Sequence, residues 1–111
     1  MRLAVLLPLL LLGTPALAGD LNDYPTSTRA DYVFGCMKAN GDTRQALEQC
    51  SCSIDVIASI LPYERYVAAE TVASLNQQAG QIGSMVRNTA IARDQLEVLR
   101  RAQAEAQIRC F

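Results

Sequence analysis

The chain of 111 residues has no histidine and no tryptophan, and its ten basic residues nearly balance its eleven acidic ones. Without histidine, the usual general base for a serine or cysteine nucleophile is missing, and an ordinary zinc site would need four thiolates. A formal net charge of −1, with both signs interspersed, argues against nucleic acid or an anionic membrane surface as a partner. We therefore expect no enzyme, no cofactor and no nucleic-acid-binding protein.

Long apolar runs are also scarce, and the longest lies in an N-terminal segment organised like a cleavable signal peptide. Arg2 supplies the positive charge, Leu3–Leu12 form a short apolar run, and Ala16–Ala18 supply the small residues of a cleavage site. The run is too short to span a bilayer, which takes about 20 apolar residues. We expect residues 1–18 to be a signal peptide removed on export to the periplasm. Residues 19–111 then form one domain that does not insert into a membrane.

The domain keeps four cysteines, Cys36, Cys50, Cys52 and Cys110. An even number of cysteines in a small exported domain predicts two disulfides. Cys50 and Cys52 lie two apart on a predicted helix, so their side chains diverge by roughly 200° and cannot bond each other. Two pairings stay open: Cys36–Cys50 with Cys52–Cys110, or Cys36–Cys52 with Cys50–Cys110. Either one staples the first helix and the last helix to the second.

The spacing of apolar residues predicts an all-α domain, a small disulfide-stapled bundle of about four helices without strands. The helices are expected over residues 29–39, 43–61 and 62–79, and from 89–91 to 109. Capping boxes that start at Thr28 and Asp42 place the first two helices, and Pro62 suits the first turn of the third. Because Cys110 must return to the second helix, residues 80–90 are expected to cross back as a loop or short turn.

The second helix has apolar residues on two sides, which is typical of a helix packed between neighbours. One side carries Leu47, Cys50, Ile54, Ile57 and Leu61, and the other carries Cys52, Val56 and Ile60. We therefore expect this helix to be the central element of the bundle.

The Cys50-Ser51-Cys52 motif offers one alternative chemistry, since a reduced C-x-C pair can bind Cu(I) or Zn, or exchange disulfides. Structural disulfides are the favoured interpretation, because the helix separates the two sulfurs and two further cysteines await partners. Catalysis by carboxylates would need two acids facing across a cleft. Asp55, Glu64 and Glu70 are the candidates, but a compact bundle offers little cleft, and Asp55 is expected to pair with an arginine or to be exposed.

Tyr63, Arg65 and Tyr66 lie at the predicted start of the third helix. Tyrosine and arginine are residue types that binding hot spots favour, so these three are candidate contacts with a partner. The simpler interpretation is that the two tyrosines cover the end of the core while their hydroxyls stay in water.

The second helix and the turn after it carry a motif of about 17 residues. It reads Cys50-x-Cys52-x-Ile54-Asp55-x-Ile57-Ala58, followed by Leu61-x-Tyr63-x-x-Tyr66. This motif resembles small uncharacterised exported helical proteins of Gram-negative bacteria with a C-x-C-x-I-D core, some of them associated with periplasmic quinoprotein dehydrogenase loci. The resemblance implies a periplasmic helical protein and assigns no catalytic or binding residue.

These observations together predict a small exported, non-enzymatic binding or accessory protein that acts on another periplasmic protein. The alternative is a metal or redox protein of the periplasm that uses the C-x-C pair.

Overall fold

The structure, a computed structural model, describes residues 23–111. The expected signal peptide over 1–18 lies outside the described residues, as do residues 19–22. From residue 23 onward there are five helices and no strand: α1 Thr26–Asn40, α2 Arg44–Ile60, α3 Tyr63–Asn76, α4 Gln81–Arg87 and α5 Ala90–Cys110. The all-α prediction is confirmed. The additional helix, α4, occupies the connection that was expected to be a loop or short turn.

The N-terminus of α1 differs from the sequence prediction. The helix begins at Thr26 rather than near 29, with Pro25 in the N-cap position and no side-chain cap. Thr28 therefore lies inside the first turn, and its hydroxyl oxygen is 3.3 Å from that of Tyr63. The capping box proposed at Thr28 is wrong, because the fixed φ of Pro25 already pre-organises the helix start three residues earlier.

The turn from α1 to α2 covers residues 41–43, one residue after the gap predicted between the first two helices. Gly41 has a φ of 108°, in the region that favours glycine. The cap of α2 is shifted by one residue from the predicted Asp42, since the side chain of Thr43 accepts a hydrogen bond of 3.0 Å from the Ala46 amide. A threonine hydroxyl satisfies one of the amides that a helix start leaves unpaired.

Both disulfides form, and they settle the pairing that the sequence left open. Cys36 bonds Cys50 and Cys52 bonds Cys110, over sequence separations of 14 and 58 residues. By the chain-entropy model, closing these loops stabilises the fold by about 3 and about 4 kcal/mol respectively. Helix α2 is therefore crosslinked to α1 on one side and to α5 on the other.

The interior lies between α2, α3 and α5. Its buried members are Tyr24, Ile54, Ile57, Ala58, Leu61, Tyr66, Ala69, Leu99, Ala102 and Ala106. Because alanine side chains are small, Ala58 of α2 and Ala102 and Ala106 of α5 allow these two helices to pack closely. Full burial of a side chain such as Ile57 contributes about 1.5–3 kcal/mol. Helix α2 packs against α1 and α5, as its two apolar sides predicted, while α5 also contacts α3 and α4.

Two of the predicted α2 contacts are wrong. Leu47 and Ile60 are both exposed. Leu47 lies in the depression between α1 and α2, where α1 does not cover it. Ile60 is the last residue of α2 and lines an open depression between the end of α2 and α5.

Helix α3 begins at Tyr63. Pro62 is its N-cap residue and does not lie inside the first turn, where the sequence predicts it. The side chain of Asp23 accepts a hydrogen bond of 3.2 Å from the Tyr63 amide, so a residue before α1 caps α3. Helix α5 starts at Ala90, within the predicted range of 89–91, and the Thr89 hydroxyl accepts a hydrogen bond of 3.2 Å from the Ala92 amide.

Helix α4 packs tightly against the chain that precedes it. Gly83 is its one buried residue, and any side chain there would collide with the carbonyl oxygen of Gln78. Within residues 23–111, no helix combines the length and the apolar character that crossing a bilayer requires.

Candidate functional site

Two depressions flank α1, one on each side. The first, which we call the acidic cleft, is defined by Asp31, Tyr32, Ser53, Tyr66, Glu70 and Gln103, and encloses about 460 Å³. The second, the apolar groove, is defined by Ala30, Val33, Phe34, Met37, Leu47 and Ile54, and encloses about 500 Å³. Helix α1 therefore lines both depressions, with polar side chains toward the acidic cleft and mainly apolar ones toward the apolar groove.

The acidic cleft receives its polar groups from four helices. Asp31 and Tyr32 are neighbours on α1, and Tyr66 and Glu70 are one turn apart on α3, which places them on one side of that helix. Ser53 of α2 adds a buried hydroxyl to the lining. No arginine or lysine is among the side chains that line this cleft.

The electrostatics of the cleft centre on Glu70. Although the residue as a whole is exposed, partial desolvation of its carboxyl group raises the pKa, and the carboxylate of Asp31 raises it further. Both causes disfavour the charged form. The two acids therefore repel each other across the cleft between α1 and α3.

The two phenols of the cleft are hydrogen-bond donors near neutral pH. Burial raises the pKa of the Tyr66 hydroxyl, and nearby Glu70 raises it further. The pKa of Tyr32 is also raised, chiefly by burial, with a hydrogen bond to the Ser53 hydroxyl opposing and Glu70 adding to the increase. A protonated phenol both donates and accepts one hydrogen bond, so these groups suit a polar ligand.

Tyr24 anchors the chain before α1 to the start of α3. Its hydroxyl donates a 2.7 Å hydrogen bond to the Leu61 carbonyl. Its ring centroid lies 5.0 Å from that of Tyr66 and 5.3 Å from that of Tyr63, in tilted arrangements that aromatic pairs prefer. Burial raises the pKa of Tyr24, and Asp23 adds to the increase while Arg29 opposes it. This buried, neutral tyrosine packs on Tyr66, which lines the cleft.

The three residues predicted as a contact surface do not lie together. Tyr66 is only 7% exposed and packs on Tyr24, and Tyr63 is half-buried beside it. Arg65 is exposed and lines a separate depression toward α5, with Arg101 and Glu105. The structure therefore brings Tyr63 and Tyr66 together through Tyr24, and places Arg65 on another side of α3.

The three candidate carboxylates of the sequence analysis are also separated. The Asp55 carboxylate lies 2.5 Å from the Arg29 guanidinium, as expected, and lines the apolar groove. Glu64 is exposed in the first turn of α3. Only Glu70 lies in the acidic cleft, and the acid that faces it is Asp31.

Asp31 and Tyr24 are the residues that sequence reasoning missed. Asp31 is the acid three residues after Thr28 in the predicted capping box, and its separation of 39 positions from Glu70 gives no sign that the two meet. Tyr24 follows an irregular leader and precedes a proline, so no periodic pattern includes it. The only available signal was its size, because a large aromatic side chain in a small domain is commonly buried.

The cysteines are fully paired in the part of the chain that the structure describes. Cys50 bonds toward α1 and Cys52 toward α5, so the two sulfurs of the C-x-C motif diverge as the helical geometry predicted. Within residues 23–111, no three side chains of cysteine, aspartate or glutamate lie close enough together to hold a metal ion.

Comparison with known proteins adds no family to this description. The chain matches no protein-family model, and no curated protein or solved structure shows significant similarity to it.

Proposed function

We propose that this chain is a small exported accessory protein without catalytic activity, and that it binds another periplasmic protein through the apolar groove. The observation that carries the proposal is the low burial of α1. None of its fifteen residues is buried, although the helix contains tyrosine, valine, phenylalanine and methionine. A helix in a small domain is ordinarily retained by burying an apolar face.

Other interactions hold α1 in place. The Cys36–Cys50 disulfide joins it to α2, and the Arg29–Asp55 ion pair links the same two helices near the start of α1. The Arg29 guanidinium also lies 5.7 Å from the centre of the Tyr24 ring. These links fix the groove before a partner arrives, and a pre-organised surface loses less conformational entropy on binding.

The groove itself fits an apolar segment of a partner. Phe34 stands 64% exposed at its edge, and Leu47 is exposed on the opposite wall. Two antiparallel helices with an apolar channel between them are the usual receptor for an amphipathic helix. Burial of a phenylalanine of this kind contributes about 1.5–3 kcal/mol to association.

The positive charge of Lys38 at the groove edge indicates which charge the partner segment carries beside its apolar side chain. The Lys38 ammonium lies 4.4 Å from the centre of the Phe34 ring and has no ion pair within residues 23–111. A partner segment with an apolar side chain for the groove and an acidic residue beside it would satisfy both groups. We therefore propose an acidic amphipathic helix as the occupant.

The test compares two exposed apolar residues on different surfaces. The protein is isolated from the periplasm with its stoichiometric partner, and the purified partner is titrated against the wild type, Phe34→Ser and Ile108→Ser. Ile108 is 79% exposed on α5 and lines neither depression beside α1. We expect affinity to fall by about tenfold or more in Phe34→Ser and to be unchanged in Ile108→Ser.

A clean monomer with no partner in the periplasm would contradict the proposal, as would equal affinity of the two variants. Free thiols or bound metal in the protein isolated from that compartment would instead favour the C-x-C metal or redox function.

A further inference from the structure

We propose that a depression between the end of α2, the start of α3 and α5 binds a free organic acid, in which a carboxylate is attached to a short apolar chain. This surface, which we call the basic depression, encloses about 550 Å³ and is defined by Ile60, Pro62, Arg65, Val98, Arg101 and Arg109. The inference is independent of the proposed function, because the basic depression and the apolar groove have no lining residue in common.

The first argument is the balance of charge in the basic depression. Three guanidinium groups, those of Arg65, Arg101 and Arg109, line it together with a single carboxylate, that of Glu105. Glu105 pairs with Arg109 at 2.8 Å, and Glu97, which is outside the lining, pairs with Arg101 at 2.5 Å. One positive charge is therefore left without a counter-ion, and an anionic ligand would supply it.

The guanidinium without a counter-ion is that of Arg65. Within residues 23–111, this side chain makes no ion pair. It also lies in the first turn of α3, where the helix dipole disfavours a cation. Neither a neighbouring acid nor the helix thus accounts for a positive charge at this position. A carboxylate in the basic depression would pair with Arg65 through two parallel hydrogen bonds, the geometry that arginine favours.

The second argument is the apolar surface that lies between these charges. Ile60 is 43% exposed, and Pro62 and Val98, which line the same depression, are half-buried. Leu61 and Ala102 are buried and complete the apolar lining. A small inorganic anion would leave this surface in water, whereas an apolar chain behind the carboxylate would cover it. The volume is in the range of sites that take small organic ligands.

Two links between elements give the basic depression its shape before a ligand arrives. The Cys52–Cys110 disulfide joins α2 to α5 directly after Arg109. The Tyr24 hydroxyl donates its 2.7 Å hydrogen bond to the carbonyl of Leu61, in the turn between α2 and α3. A site that is formed in advance loses less conformational entropy on binding. A concavity where three helices meet suits a free acid, whereas an extended polypeptide segment would need a longer groove.

The experiment titrates the exported, oxidised protein with hexanoate, with its neutral analogue hexanamide, and with acetate, which has the charge but not the chain. A fourth probe is an N-acetylated tripeptide that ends in leucine with a free carboxylate. Binding is followed by the amide signals of residues 60–66 and 98–109 in nuclear magnetic resonance titrations.

Four variants are compared with the wild type. Arg65→Gln removes the unpaired charge, and its control Arg93→Gln removes an exposed arginine of α5 that does not line the basic depression. Ile60→Ser removes apolar lining, and its control Ile108→Ser changes an exposed isoleucine elsewhere on α5. Circular dichroism establishes that each variant keeps its helices.

We expect saturable binding of hexanoate. Affinity should be at least tenfold lower for hexanamide, which lacks the charge, and for acetate, which lacks the chain. Arg65→Gln should lower the affinity for hexanoate about tenfold, because hydrogen bonds between two charged groups are lost, and Ile60→Ser should lower it by a smaller factor. Both control variants should bind hexanoate as the wild type does.

Four results would overturn the inference. The first is the absence of saturable hexanoate binding, and the second is binding of hexanamide or acetate as tight as that of hexanoate. The third is an equal loss of affinity in Arg65→Gln and Arg93→Gln, since that would mean attraction by net charge. The fourth is tighter binding of the tripeptide, which would assign the basic depression to a polypeptide end. Phe34→Ser should leave hexanoate binding unchanged, so that failure of the proposed function is distinguishable from failure of this inference.

Discussion

Helices α1 and α2 are adjacent in sequence, similar in length and crosslinked to each other, but they contribute differently to the fold. Helix α2 buries six residues, including Ile54 and Ile57, whereas α1 buries none. The apolar side chains that α1 packs against the interior are the half-buried Tyr32 and Val33. This difference indicates that α2 is retained by burial of apolar surface, whereas α1 adds to the half-burial of Tyr32 and Val33 a disulfide, an ion pair and the anchoring of Tyr24.

The contrast follows from how the apolar residues are arranged. Those of α2 recur at spacings of three and four and form one strongly apolar face. Those of α1 are consecutive, in Tyr32, Val33 and Phe34, and so point in different directions around the helix. Such a helix cannot turn all of its apolar residues to one neighbour, and it presents them instead to the two depressions.

The largest expected effect comes from the interior face of α2. Ile57 is fully buried, and Ile57→Ala should lower the free energy of unfolding by about 2–5 kcal/mol because it removes apolar contacts and leaves a cavity. Phe34→Ala, in α1, should change it by no more than about 0.5 kcal/mol, as exposed positions usually do. Urea unfolding of the two variants measures the difference. Comparable losses would mean that α1 is also held by burial.

The next effect concerns the crosslink between the two helices. Replacement of Cys36 and Cys50 by alanine should lower the free energy of unfolding by about 3 kcal/mol, according to the chain-entropy model. The loss should also be local: amide hydrogen exchange should accelerate in α1 while the centres of α2 and α5 stay protected. The matched control replaces Cys52 and Cys110, where faster exchange should instead reach α5. Uniform loss of protection in both double variants would refute the separation of roles.

The smallest effect lies on the side of α1 that faces α3. The pKa of Glu70 is raised in the folded state, so the folded state holds this proton more tightly than the unfolded one. Stability should therefore decrease as the pH rises from about 4.5 through the raised pKa. Tyr32, Tyr66 and Asp31 also face Glu70, and Asp31 adds to the effect by repulsion.

Glu70→Gln should remove this decrease and raise stability at neutral pH by no more than about 0.5 kcal/mol, because the residue stands at an exposed rim. The measurement is urea unfolding of both proteins at pH 4 and pH 7.5, in which the titrations of groups that do not interact with Glu70 cancel between wild type and variant. A variant that is less stable than the wild type at pH 7.5 would contradict the assigned repulsion.

The sequence was a good guide to α2 and a poor one to its surroundings. Two apolar sides and two divergent cysteines were enough to predict that α2 packs between neighbours and carries both crosslinks. The same pattern failed at Leu47, because periodicity records which face a residue occupies but not whether a neighbour extends far enough to cover it. That depends on the length and angle of α1.

The acidic cleft could not be predicted in the same way. Asp31 and Glu70 lie on helices that are not consecutive, and their proximity depends on how α1 and α3 pack around the others. The sequence indicates Tyr66 as a candidate contact residue. Its packing against Tyr24, which also contacts Tyr63, is visible only in three dimensions. Local patterns determine helices well, whereas clefts between helices depend on packing angles that no single helix encodes.

The pairing of Cys52 with Cys110 has a consequence for how the protein is made. A polypeptide is synthesised from its N-terminus, so Cys36, Cys50 and Cys52 are all present 58 residues before the last sulfur. During that interval Cys52 competes with Cys50 for Cys36, although only Cys50 is the native partner. A chain interrupted between positions 52 and 110 carries three cysteines, so one thiol has no partner within it. The oxidation state thus distinguishes finished molecules from incomplete ones.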